Sequence, residues 1–221
     1  MEAAVNNLKV LVADDHEILR KGVCSVVVQR GWTVVAEATN GREAVSKAKV
    51  LRPDIVVMDI SMPELNGLEA TRQILKNDAR CKVLILTIHQ TDSLMREILD
   101  AGARGYLLKT DTSRDLVAAI ESVSVNRTFF TSSLDELILE GYMQKKSPLQ
   151  ESASRDTRLT QRQREILQLL AEGKTSKQVA VTLGLSVKTA DTHRSNIMGR
   201  LKCHSITELV HYAIRNNVVQ P

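Results

Sequence analysis

Residues 54–59 read DIVVMD and residues 82–87 read KVLILT. Both stretches are apolar at successive positions, without the alternation of a strand that faces water on one side. Strands covered by helices on both faces have this composition, so Val56, Val57, Val83, Leu84 and Ile85 are expected in a core. Working outward, Leu8–Val12, Thr33–Ala36, Ile55–Met58, Val83–Leu86 and Tyr106–Leu108 read as strands, with amphipathic segments between them. A five-fold alternation of strand and helix predicts a parallel, doubly wound, five-stranded sheet.

In such a sheet the carboxyl ends of the strands line the ligand crevice. The polar residues just after them are Asp14 and Asp15, Asp59, Thr87 and Lys109. Each alone is an ordinary turn, cap or solvated residue; together they put three carboxylates, a hydroxyl and an ammonium at one edge. Three converging carboxylates repel unless a cation joins them. A hard divalent ion, Mg²⁺ or Mn²⁺, held by oxygen and keeping several waters, meets that need and leaves room for a phosphate. Asp59 is the candidate nucleophile, forming an acyl phosphate while the metal and Lys109 offset charge on the transferring oxygens. Asp15 is then a direct metal ligand, and Asp14 supports it through water.

From Leu159 onward the apolar positions fall on helical spacing, and Thr160-x-x-Gln163, Thr175-x-x-Gln178 and Ser205-x-x-Glu208 have capping-box form. With Ser186 as a further N-cap they define four short helices. Gly173 stands where the first should stop, and Gly184 stands where a left-handed residue would turn the second into the third. On the third helix Val187, Ala190, Ile197 and Leu201 form the expected inward stripe, turning Lys188, Asp191, Thr192 and Ser195 outward.

The net charge of +4 is uneven. Arg158 to Pro221 holds ten Lys and Arg against four Asp and Glu, a balance of +6, so residues 1–157 carry −2. A compact basic segment suits a polyanion. Between the two parts, Arg127 to Thr157 loses core-forming periodicity. It passes through one candidate helix, Leu134–Met143, into the Ser-rich QKKSPLQESASRDTR, an expected exposed linker. The reading is therefore of domains at 1–126 and 158–221 joined by 127–157. Cys24, Cys81 and Cys203 are odd in number and form no CxxC pair, as reduced cytoplasmic thiols would. Met1–Asn7 has an acid and no apolar run, and no stretch approaches a membrane span, so neither targeting nor a membrane anchor is expected.

VLVADDHEILRKGV, DIVVMDISMPELNGLEATRQI, LILTIHQ and GARGYLLKT resemble, in order, the receiver domain of two-component response regulators across roughly residues 8–125. The resemblance implies a flavodoxin-like fold with Asp59 as phosphoacceptor, Asp14 and Asp15 as the metal-binding pair, and the Ser61 backbone carbonyl as a further metal ligand. It also implies Lys109 as phosphoryl contact and Thr87 with Tyr106 as the switch pair. Ile88 departs from the small residue that many receivers carry after the switch threonine, and Ser61 and His89 border the crevice. A haloacid-dehalogenase-type phosphohydrolase also combines Asp, Thr, Lys and Mg²⁺, but its nucleophile follows the first strand in DxDxT form, whereas Asp59 follows the third in DISMP. A receiver-like half serving only as a dimerisation scaffold would not need all five crevice residues.

Residues 159–219, LTQRQREILQLLAEGKTSKQVAVTLGLSVKTADTHRSNIMGRLKCHSITELVHYAIRNNVV, resemble the LuxR-type helix-turn-helix, and the pairing of the two halves resembles the NarL/FixJ subfamily. The resemblance implies a transcription regulator rather than a dedicated enzyme, with a sensor histidine kinase and double-stranded DNA as partners. It also implies homodimerisation through the last helix, where Leu209, Tyr212 and Ala213 either meet a symmetry mate or close the domain's own core. Lys174, Lys177, Lys188, Arg194, Arg200 and Lys202 are expected mainly on phosphates, and Thr189, Asp191, Thr192 and Ser195 at the DNA surface, the last three toward base edges. Asp191 stands where the family often has a cation; it accepts from a cytosine amino group or pairs with a neighbouring cation. His193, with no second ligand at suitable spacing, reads as a packing or phosphate-contact residue.

Overall fold

A computed structural model describes residues 7–88, 91–130 and 159–219. The chain divides into two units, Met1–Leu137 and Ile138–Pro221. The candidate helix Leu134–Met143 and most of the expected linker lie outside the described residues, as does His89.

In the first unit the strands are β1 (Lys9–Ala13), β2 (Thr33–Ala38), β3 (Ile55–Asp59), β4 (Lys82–Thr87), β5 (Gly105–Leu108) and β6 (Phe129–Phe130). The helices are α1 (Glu17–Gln29), α2 (Gly41–Leu51), α3 (Gly67–Asn77), α4 (Asp92–Asp100) and α5 (Thr112–Ser124). The sheet has six parallel strands in the order β2-β1-β3-β4-β5-β6, one more than the five expected. The added pair, Phe129 and Phe130, falls in the stretch read as linker. Two residues carry no detectable period, yet they find partners in Gly105 and Tyr106.

The buried apolar runs follow from coverage on both faces. Val10, Val12, Ile55, Val57, Leu84, Leu86 and Leu107 pack with Val23 and Val27 of α1 and Leu116, Ala119, Ile120 and Val123 of α5. Successive strand residues point to opposite faces, so Leu11, Val56, Met58, Val83 and Ile85 serve the other face and are equally buried. The five expected core residues are all fully inaccessible.

Register then places the crevice. Ala13 is level with Met58, Asp59 with Leu86, and Thr87 with Leu108. One further step along each strand brings Asp14, Asp59, Thr87 and Lys109 to a single edge. The strand order reverses between β1 and β3, where open α/β sheets form their crevice. The loop after Asp59 is pinned by buried Ile60, Met62 and Leu65 and by the Gly67 N–H donating to the Ile60 carbonyl at 2.8 Å. A Cβ on Gly67 would lie 1.9 Å from the Asp59 carbonyl oxygen, and one on Gly41 2.1 Å from that of Leu65. Neither position can carry a side chain without moving that loop.

The second unit is helical: α6 (Gln161–Ala171), α7 (Ser176–Leu183), α8 (Val187–Leu201) and α9 (Ile206–Arg215). Thr160 and Thr175 make full capping boxes with Gln163 and Gln178. The third expected box is altered. Ser205 accepts from the Glu208 N–H at 3.1 Å, but the Glu208 carboxylate accepts from the His204 N–H at 2.8 Å. Gly173 and Gly184 have φ of 82° and 62°, the left-handed geometry that ends α6 and α7. The core joins Ile166, Leu169 and Leu170 of α6, Val179, Ala180 and Leu183 of α7, Ala190 and Ile197 of α8, and Leu209 and Ala213 of α9.

Candidate phosphoryl crevice and nucleic-acid face

Asp14 and Asp59 are each 1% exposed. The Lys109 ammonium sits between them, 2.9 Å from Asp14 Oδ2 and 3.0 Å from Asp59 Oδ2. One nearly buried cation thus serves two buried anions, and the cluster is left a positive charge short. Burial pushes the Asp59 carboxyl up to about 6; Lys109 opposes this and Asp14 adds to it, while the Ser61 N–H donates to the carboxylate. Burial works against the charge of Lys109, but Asp59 and Asp14 outweigh it and hold its pKa above the ordinary lysine value. The ammonium contacts are ion pairs without hydrogen-bond alignment, and neither Oδ2 has an aligned donor among the described residues.

Asp15 is exposed beside Asp14. His16, not singled out in the sequence, places Nδ1 3.0 Å from Asp15 Oδ1 and 3.4 Å from Asp14 Oδ1. Its backbone N–H donates to Asp14 Oδ1 at 2.8 Å. One donor atom from each of Asp14, Asp15, His16 and Asp59 falls within a 4.8 Å cluster. Three carboxylates with two buried, unaligned oxygens fit a hard divalent cation, which would restore the missing charge.

Thr87 is 2% exposed and Tyr106 fully buried. Tyr106 is level with Ile85, two residues before Thr87, so both side chains lie on one face of the sheet. Burial pushes the Tyr106 phenol up to about 12, with Asp111 adding to it. Ile88, next along from Thr87, is 57% exposed.

On α8, Lys188, Thr189, Asp191, Thr192 and Ser195 are exposed, as are Lys174, Lys177, Arg200 and Lys202 around it. Arg194 and His193 are half-buried. The inward stripe differs from the expected one at its start: Val187 is 45% exposed, while Ala190 and Ile197 are buried and Leu201 half-buried. As the first residue of the helix it stands before the packed turns. The Thr192 hydroxyl donates to the Lys188 carbonyl at 2.9 Å, and Arg200 Nη1 to Gln163 Oε1 at 3.3 Å. Asp191 is paired with no cation among the described residues. On α9, Leu209 and Ala213 are buried in the unit's own core and Tyr212 is half-buried.

Residues 10–121 match the response regulator receiver domain, and residues 157–213 match the bacterial regulatory proteins of the luxR family. The response regulator protein VraR of Staphylococcus aureus is 36% identical over 214 residues, covering 96% of this chain and 99% of its own. The chain belongs to the response regulators. A LuxR-family two-component response regulator from Aurantimonas sp. has a solved structure that is 35% identical. It covers 62% of this chain and 99% of its own, with a TM-score of 0.58. The RcsB response regulator of Salmonella typhimurium shares the fold at 23% identity, with coverages of 96% and 99% and a TM-score of 0.63; RcsB has also been solved as a complex with DNA.

Within this response regulator, sequence reading did not single out Arg20 or His16 and placed Val187 inward. His16 carried a signal, the triplet Asp-Asp-His at a strand end. Arg20 carried none, since an arginine on an amphipathic helix looks solvated until its partners are known.

Proposed function

We propose that Asp59 accepts a phosphoryl group from the phosphohistidine of a sensor histidine kinase, and that this modification controls dimerisation and sequence-specific binding to double-stranded DNA. The observation that supports it most is the buried Asp14–Lys109–Asp59 cluster, which is one positive charge short and has two carboxylate oxygens without aligned donors. A carboxylate oxygen of Asp59 bonds to phosphorus as the phosphorus–nitrogen bond breaks; the leaving imidazole nitrogen keeps the electron pair. Asp14, Asp15, Asp59 and the Ser61 carbonyl would hold Mg²⁺ or Mn²⁺, whose positive charge offsets that of the carboxylates and phosphoryl oxygens. Lys109 exchanges its contact with Asp59 Oδ2 for one with a phosphoryl oxygen. The Thr87 hydroxyl donates to another, and the Tyr106 ring, on the same face, takes the space vacated.

The functional division we propose is a receiver over 1–126, a connecting segment over 127–157 whose Phe129 and Phe130 pair onto β5, and a DNA-binding unit over 158–221. In that unit Lys174, Lys177, Lys188, Arg194, Arg200 and Lys202 meet phosphates, and Thr189, Asp191, Thr192 and Ser195 lie along the groove. The exposure of nearly all of them supports this. Phosphorylation raises the population of dimers that present α8 to DNA. The protein is a regulator acting in the cytoplasm, not a dedicated enzyme; no helix among the described residues is long and apolar enough to cross a membrane.

Incubation of the full chain with acetyl phosphate and Mg²⁺ is expected to load one phosphoryl group per chain, detected by mass, with no loading in EDTA or in Asp59→Asn. Full uptake by Asp59→Asn would overturn the assignment.

A further inference from the structure

Arg20 is an arginine 8% exposed, on a helix whose outer face has room for it in water. A buried guanidinium is destabilising unless paired and hydrogen-bonded. Its partners lie at the crevice. Arg20 Nη1 donates to the Asp14 backbone carbonyl at 2.8 Å, and Arg20 Nε donates to Glu37 Oε2 of β2 at 3.0 Å. Glu37 is itself fixed: Lys21 Nζ donates to Oε1 at 2.8 Å, and Lys47 Nζ donates to the Glu37 backbone carbonyl at 2.7 Å.

Asp14 is therefore held at every polar atom but one. Its N–H donates to the Ala38 carbonyl of β2 at 3.1 Å. Its carbonyl, where the chain leaves the sheet, accepts from Arg20. Its Oδ1 accepts from the His16 N–H. Only Oδ2 remains, beside Lys109 and without an aligned donor. Both backbone groups of Asp14 are thus referred to β2, one directly and one through the Arg20–Glu37 pair.

We infer that Arg20, oriented by Glu37, is a positioning residue that sets the turn of Asp14–His16 for divalent-cation binding. Arg20 touches none of the crevice carboxylates directly; it acts on the metal site only through the Asp14 carbonyl. Residues that orient metal ligands typically change affinity by about 10- to 100-fold when replaced. The inference rests on the metal and phosphoryl reading above, and its test separates the two.

Mn²⁺ binding to the full chain, followed by the electron paramagnetic resonance signal of free Mn²⁺ with no phosphoryl donor present, measures the site itself. Arg20→Met is expected to weaken Mn²⁺ binding about tenfold and Glu37→Gln about threefold, with the double variant no weaker than Arg20→Met, because Glu37 acts through Arg20. Phosphoryl uptake from acetyl phosphate should need correspondingly more Mg²⁺ in Arg20→Met and return to within about threefold of the wild-type rate at saturation. A residue that merely staples α1 to the sheet would move the melting temperature and leave Mn²⁺ affinity alone. Folded Arg20→Met with wild-type Mn²⁺ affinity overturns the inference. So does additivity in the double variant, or uptake that stays low at saturating Mg²⁺. If Arg20→Met does not fold, the partly exposed Glu37→Gln decides by the same Mn²⁺ reading. A wild-type chain that binds no Mn²⁺ overturns the underlying reading and this inference with it.

Discussion

The two units hold their candidate functional groups in opposite ways. In the receiver, Asp14, Asp59 and Thr87 are at most 2% exposed, and Lys109 is nearly buried between the two carboxylates. On α8, Lys188, Thr189, Asp191, Thr192 and Ser195 all face water. Burying charge is costly, so a buried cluster short of a cation is arranged for something that arrives. An exposed polar helix face costs nothing, and it takes its meaning from its partner. The receiver site is accordingly defined by convergence, and the proposed DNA face by periodicity and charge.

The largest break in this contrast should come from Gly67→Ala, whose added Cβ meets the Asp59 carbonyl oxygen at 1.9 Å. Overpacking against backbone is expected to cost about 3 kcal/mol or more in the receiver's thermal unfolding and to leave the helical unit's transition in place. An unfolding temperature unchanged by the substitution would show that the loop after β3 is freer than its packing implies.

Asp59→Asn tests the burial of charge itself. The folded Asp59 carboxyl lies at about 6, above its ordinary 3.8. Between those values the folded protein keeps a proton that the unfolded chain has released, so stability falls as pH rises through the window and the loss is complete above it. Asparagine cannot ionise. In EDTA at pH 7 Asp59→Asn should therefore be more stable than the wild type by about 1–3 kcal/mol, with the gain gone near pH 4. Denaturant titrations at the two pH values check this, and saturating Mg²⁺ should narrow the difference by stabilising the wild type.

On the exposed side, Lys188→Ala is expected to weaken duplex binding roughly evenly across sequences and to reduce the salt slope by about 1, as a phosphate contact does. A loss confined to one operator would instead make Lys188 a base reader. The smallest effect belongs to Val187→Ala. At 45% exposure the substitution should change stability by no more than about 0.5 kcal/mol, whereas Ile197→Ala, fully buried, should cost about 2–5 kcal/mol.

The same contrast explains how much could be read in advance. The first five strands were legible to within one or two residues: β1, β3, β4 and β5 because their apolar runs are dictated by burial on both faces, and the half-buried edge strand β2 from its short β-branched run. Asp14, Asp59, Thr87 and Lys109 were legible because each follows such a run, and register does the rest. Phe129–Phe130 was not, being a pair of residues whose strand state depends on the open flank of Gly105 and Tyr106. Val187 followed the helical period yet sits where the helix has not begun to pack. Glu208 chose the His204 N–H over that of Ser205, a local choice of donor that the spacing of a capping box does not decide. Arg20 was invisible because its meaning lies in Glu37, on β2, and in a backbone carbonyl.

The sixth strand has a further consequence, for solubility. An open strand edge invites pairing by other chains, and a short edge strand offers little to pair with. Beside β5, Phe129 and Phe130 occupy the flank of Gly105 and Tyr106 and leave a far edge only two residues long. A receiver trimmed at residue 126, where the sequence alone would place the boundary, discards that strip and bares the Gly105–Tyr106 flank. One kept through residue 137 retains it and should stay monomeric to higher concentration.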